Sequence, residues 1–131
     1  MRNLVLLVIG CALGALGATA VLRTLADRAA YARGVMQVMQ HHYARLHDDL
    51  RARTCTSVDP VLEKAQLRAL AEQIEPSVYA DAIADAPFRE YTQHLRDALA
   101  QLPDGASGCP VLVPVVARIG AACDECHRQY R

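Results

Sequence analysis

The chain has 131 residues, a length for one domain behind a leader, and its 14 Lys and Arg balance 14 Asp and Glu to a formal net charge of zero. That balance offers no electrostatic reason for a nucleic-acid or acidic-membrane partner. With no Trp, one Phe, abundant Ala and Leu and few β-branched runs, the composition favours an all-α fold.

Residues 1–20 read as a signal peptide or N-terminal membrane anchor, and residues 21–131 as the folded domain. Arg2 supplies a positive start, residues 4–17 are apolar, and Ala18-Thr19-Ala20 is a small-x-small cleavage pattern. The uncharged run continues to Leu22, long enough to cross a bilayer uncleaved. Val8-Ile9-Gly10-Cys11 also has the form of a lipoprotein box, although little apolar sequence precedes it. Each of these outcomes carries the domain across the inner membrane, either free in the periplasm after cleavage near Ala20 or anchored and facing it.

Helix one is predicted from about residue 24 to residue 53. Leu25, Ala29, Ala32, Met36, Met39, Tyr43, Leu46 and Leu50 step by four and three, the seam of an antiparallel bundle helix. Residues 54–59 break the pattern, and Asp59-Pro60 reads as an N-cap followed by proline at the first helical position. Helix two then runs to about Glu75, with Leu67, Leu70 and Ile74 on one stripe and Pro76 as its stop. After a connector over residues 77–86, helix three starts around Pro87 and aligns Phe88, Tyr91, Leu95, Ala98 or Leu99, and Leu102. Pro103-Asp104-Gly105 ends it. Pro110 and Pro114 are not both expected inside one regular helix, because the later ring meets the carbonyl one turn back. Helix four is therefore predicted from near Pro114, with Val116, Ile119, Gly120 and Cys123 inward.

The most specific chemistry lies at the end, in Cys123-Asp124-Glu125-Cys126-His127. Two thiols two residues apart, followed at once by an imidazole, are the attachment signature of c-type haem. Each sulfur adds to a porphyrin vinyl group, and the adjacent histidine binds the iron as proximal ligand. On a helix all three side chains share one face, which Gly120 extends upstream with room for a flat macrocycle close to the backbone. Structural zinc needs four ligands, and neither a second CxxC nor an HxxxH pair completes such a set. A redox dithiol belongs in a βαβ context, for which no strand pattern exists.

Four amphipathic helices with short connections pack best as an antiparallel up-down-up-down bundle. The end of helix one and the start of helix four then meet, which predicts a Cys55–Cys109 disulfide, with the haem at the opposite end beside the first half of helix one. The pair would sit in an oxidising compartment, and Cys11 stays in the leader.

The run IGAACDECHRQYR over residues 119–131, and a second patch over residues 31–46, resemble the class II cytochromes c, namely cytochrome c prime and its low-spin, Met/His-ligated relatives. The resemblance covers the mature chain, with those two patches specific and the region of helices two and three alike only in pattern. It implies one covalent haem c on Cys123 and Cys126, with His127 as the proximal axial ligand and Met36 at the distal position. Where the family often has an arginine four residues before the distal position, this chain has Ala32; Arg33 stands next door, and Arg131 matches a basic residue after the motif, both at the haem periphery. The implied partners are redox proteins of the periplasm or inner membrane, and a homodimer through exposed faces of helices one and two.

Two readings of function follow. If Met36 binds the iron, both axial positions are filled and the protein transfers electrons. If Met36 only packs over the distal face, the iron is five-coordinate and takes a diatomic gas such as NO or CO. A stress-linked or structural haem protein is a third reading. Met39, one turn further on, competes with Met36 for the distal position, and the plainer reading of a methionine on a bundle seam is core filler. His41 and His42 are adjacent, so only one can face inward, and both read as rim residues; His47 and His94 read as solvated, and Tyr43 and Tyr91 as core aromatics with a hydroxyl at the rim. No acid–base pair, nucleophile triad or phosphate loop suggests an enzyme.

Overall fold

A computed structural model describes residues 2–55, 60–79, 82–105 and 108–130. They form four helices, α1 (Arg2–Arg51), α2 (Pro60–Tyr79), α3 (Ala86–Ala100) and α4 (Cys109–Gln129), and among the described residues no strand. The fold is all-α. α1 packs on α2, α2 on α3, α3 on α4, and α4 back on α1. Contacting residues run in opposite senses along neighbours: Tyr31 meets Gln73 while His42 meets Glu63, and Glu75 meets Thr92 while Lys64 meets Leu102. Across α3 and α4, His94 faces Glu125 while Gln101 accepts from Arg118. Leu67, Leu99, Leu102, Val116 and Ile119 fill the centre, none more than 1% exposed.

α1 begins at Arg2, not near residue 24. No proline interrupts it, and isolated glycines weaken a helix without ending it. Its predicted seam is buried over only part of its length. Leu25 is 55% exposed and Ala29 is exposed, because the other three helices do not reach that level; Val35, Met39 and Leu46 form the buried stripe. At the other end the chain leaves α1 through a Schellman turn. Arg53 N–H donates to the Leu50 carbonyl at 3.1 Å and Thr54 N–H to the Asp49 carbonyl at 3.1 Å. Arg53 occupies the left-handed position of that turn at φ 56°, where glycine has no Cβ to accommodate. Arg53→Gly is therefore expected to stabilise the fold by about 1 kcal/mol in denaturant titration.

Two further predicted boundaries are corrected, both at prolines, while α3 starts where the sequence places it. Pro76 does not stop α2, which continues to Tyr79. The ring lies on an exposed face, where the Glu72 carbonyl deprived of its donor meets water, and the Ser77 hydroxyl donates to the Ile74 carbonyl at 2.8 Å. α4 starts at Cys109, ahead of the predicted Pro114. Pro110 sits in the first turn, where its missing N–H has no intrahelical partner, and Pro114 is exposed one turn on. α3 starts at Ala86, with Asp85 as N-cap accepting from Phe88 N–H at 2.8 Å. On its inner stripe Thr92 is buried and Tyr91 half-buried. The predicted N-cap Asp59 lies outside the described residues.

The end of α1 and the start of α4 are joined by a Cys55–Cys109 disulfide, with Cα atoms 5.4 Å apart. Among the described residues two ionisable side chains, Glu63 and Lys64, are buried between helices, and each has partners. Glu63, 1% exposed, has His42 Nδ1 at 2.6 Å and Arg45 Nε at 3.3 Å. Lys64 donates to the Leu102 carbonyl and to Asp104 Oδ1, joining α2 to the turn after α3.

Candidate functional site

The last two turns of α4 carry Cys123, Cys126 and His127 on one side, as helical spacing requires. Both cysteines are free thiols and half-buried, and the histidine is exposed. They line an open-mouthed cleft of about 210 Å³. Across it stand Met36, Met39 and Tyr43 of α1, with Tyr91 and Leu95 of α3 along the floor. A second depression adjoins the first and shares Met36, Asp124, Cys126 and His127 with it, adding Arg33, Val78 and Arg128. Thus a residue of α1 and the motif of α4, far apart in sequence, wall the same space.

Burial pushes the Cys123 thiol up to about 11, with Asp124 and Cys126 adding to the effect, and burial also raises Cys126, helped by Glu125. Dithiol oxidoreductases need the opposite, a thiol held low enough to ionise near neutrality. Among the described residues no group of three or more His, Cys, Asp and Glu side chains converges as a metal-holding set. A haem iron does not need one, since its equatorial ligands are porphyrin nitrogens and the protein supplies only axial ligands. Two uncommitted thiols, an adjacent imidazole and a largely apolar cleft opposite a thioether fit that group.

Comparison with family models, with characterised proteins and with solved structures finds no match to this chain. The reading of the site rests on its own residues.

The other candidate residues separate clearly. Met36 is half-buried on the cleft wall, while Met39, 5% exposed, is a core residue that also touches the cleft. His42 points to Glu63 and the α1–α2 interface, and His41 is exposed with its ring edge against His42. His47 is exposed, and exposed His94 has Glu125 at 3.6 Å. Arg33 is exposed at the second depression, and Arg131 lies outside the described residues. Gly120 does something other than clear space for a macrocycle. A methyl group there would come within 2.5 Å of Tyr43 Oη, so the glycine lets the phenol of α1 approach the backbone of α4. Burial, then Cys123 and Asp124, raise the pKa of that phenol.

Sequence reasoning missed a clamp beside the motif. Asp85 accepts from Tyr79 Oη at 2.5 Å and from Tyr130 Oη at 2.7 Å, besides capping α3. One carboxylate therefore ties the end of α2, the start of α3 and the residue that ends α4. Phe88 packs edge-on between Tyr79 and Tyr130, with ring centroids 5.0 Å from each. The Asp85-Ala86-Pro87 order, an N-cap type shortly before a proline, was the available signal.

Hydrogen bonds from Tyr79 and then Tyr130 hold the Asp85 carboxyl below the usual carboxylate range. A group depressed in the folded state contributes stability above its unfolded pKa, near 4, and loses it as pH falls through the folded value. Glu75, through its hydrogen bond from Thr92, and Asp104, through Lys64, act in the same direction. Melting temperature is expected to fall below about pH 4 and to fall less steeply in Asp85→Asn, with thermal scans at pH 7 and 3 as the check.

Proposed function

We propose that this chain is an electron-transfer c-type cytochrome, an antiparallel up-down-up-down four-helix bundle resembling the class II cytochromes c, with one haem c on Cys123 and Cys126. His127 is its proximal axial ligand and Met36 its distal one. The observation that carries the reading is the shared cleft: Met36 of α1 lies on the same two walls as Cys126 and His127 of α4, with Cys123 beside them. When bound, the haem supplies a one-electron iron couple, whose potential a thioether ligand raises relative to two histidines.

The protein's own residues hold and shield that couple. Cys123 and Cys126 fix the group covalently, so it is not lost in a compartment where free haem is diluted. Met36, which lines both depressions with His127, would be the second side chain to hold the iron, and the group would then have no open position for substrate. Met39, Leu95 and Tyr91 exclude water from the inner side. Asp85 and its two tyrosines anchor the end of α4 and with it the direction of His127. Arg33 and Arg128 stand at the outer depression, where the propionates of the group would find positive charge. The leader delivers the domain to the periplasmic side, where its partners are other redox proteins.

Optical spectra of the protein matured in a haem c-competent host test this directly. The ferric and ferrous wild type is expected to be low-spin and indifferent to carbon monoxide. Met36→Ala is expected to become high-spin and to bind it. Rapid carbon monoxide uptake by the wild type would instead assign the five-coordinate, gas-binding role, and a colourless wild type would remove both.

A further inference from the structure

We infer that residues 4–22 are retained as a bilayer span, and that α1 is a rigid stalk holding the cleft end of the domain toward a redox partner in the same membrane. α1 is one helix from Arg2 to Arg51, continuous through Ala18-Thr19-Ala20 and on into the domain. The uncharged residues 4–22 would rise about 28 Å, close to the roughly 30 Å of a bilayer's hydrocarbon. The helix holds a window of mean hydropathy 1.6 in which no residue is buried. Leu6, Leu7, Ile9, Leu13, Leu16, Val21 and Leu22 are each at least 50% exposed. At 100° per residue they cover about two thirds of the circumference, exposed Ala12 and Ala15 lie in the remaining sector, and so broad an apolar surface suits lipid rather than one partner groove.

Arg23 begins the charged part. The next turns are exposed helix, and the first hydrogen bond from α1 to the rest of the fold is that of Tyr31 to Gln73. Met36 therefore stands about 21 Å above Leu22 along the axis, with no flexible linker between. The Tyr79–Asp85–Tyr130 clamp and the outer depression with Arg33 and Arg128 lie at this same end, and the Cys55–Cys109 disulfide lies at the other. Arginine bias taken alone favours the cytoplasmic side for the domain, since Arg23, Arg28 and Arg33 after the span outnumber Arg2 before it. The side on which the domain sits rests on the haem-protein reading; the span itself does not.

The full chain, produced in a Gram-negative host with haem c maturation, is fractionated, washed with alkaline carbonate and weighed intact. The inference expects full-length protein in the washed membranes, with Ala18→Leu/Ala20→Leu behaving identically. A soluble product starting after Ala20, or one starting at Cys11 and carrying lipid, overturns it. A colourless full-length membrane product would sink the haem reading and leave the span standing, whereas a coloured soluble product would do the reverse. For the stalk, Ala26→Pro is expected to keep anchorage and spectrum while slowing haem reduction by the host's respiratory membranes several-fold. An unchanged rate overturns the rigid placement.

Discussion

A chain carrying Cys123→Ala together with Cys126→Ala is expected to leave a haem c-maturing periplasm with no covalently added cofactor mass and no colour that survives acid–acetone extraction. Two thioether bonds require two thiols, and the remaining cysteines are elsewhere: Cys11 near the start of α1, Cys55 and Cys109 joined to each other. The helix itself should survive. α4 is held by Leu112, Val115, Val116 and Ile119, all 7% exposed or less, and the two substituted positions are only half-buried. Far-ultraviolet circular dichroism is therefore expected to keep its helical shape while melting temperature falls, because a group bound only to the folded state stabilises it by mass action. Either single variant keeps one thioether and is expected to retain colour in reduced yield. Covalent haem on the double variant would show that attachment lies elsewhere.

That Cys123, Cys126 and His127 share one side of a helix was legible because helical spacing fixes it, and spacing is what a sequence displays. Met36 could be placed on the right helix and face for the same reason, as the inward period of α1 passes through it. Reach was not legible. Periodicity marks Leu25 and Ala29 as seam residues, but only the lengths of the partner helices decide where the seam is covered, and here burial begins above them. The proline rules failed in a physically specific way. Pro76 and Pro114 each remove one backbone donor and crowd one carbonyl, and both lie on exposed faces where water serves the freed carbonyl, so neither ends its helix. Partnerships across helices were hidden for another reason. Nothing local announces that Glu63 meets His42, that Asp85 gathers Tyr79 and Tyr130, or that Gly120 makes way for Tyr43. Each is a contact that exists only once the helices have been laid side by side.

Removing the disulfide is expected to weaken the fold more than any change at the surface while leaving the cleft chemistry alone. Cys55 and Cys109 are 54 residues apart, and closing a loop of that length in the unfolded chain is worth about 4 kcal/mol in the chain-entropy treatment. Against a typical stability of about 5–15 kcal/mol this is a large share. Cys55→Ala/Cys109→Ala is the suitable variant, since one lone cysteine would add a reactive thiol. For a domain of this size the melting temperature is expected to drop by roughly 15–30 °C. The turn concerned is a conformationally demanding one, with Arg53 at φ 56° and Cys55 at φ 29°, so release of that backbone should offset part of the loss. The cleft lies at the other end of the helices, and in the fraction that remains folded the haem spectrum should match the wild type. Melting within about 1 kcal/mol of the wild type would show that α1 and α4 hold their ends together by packing alone.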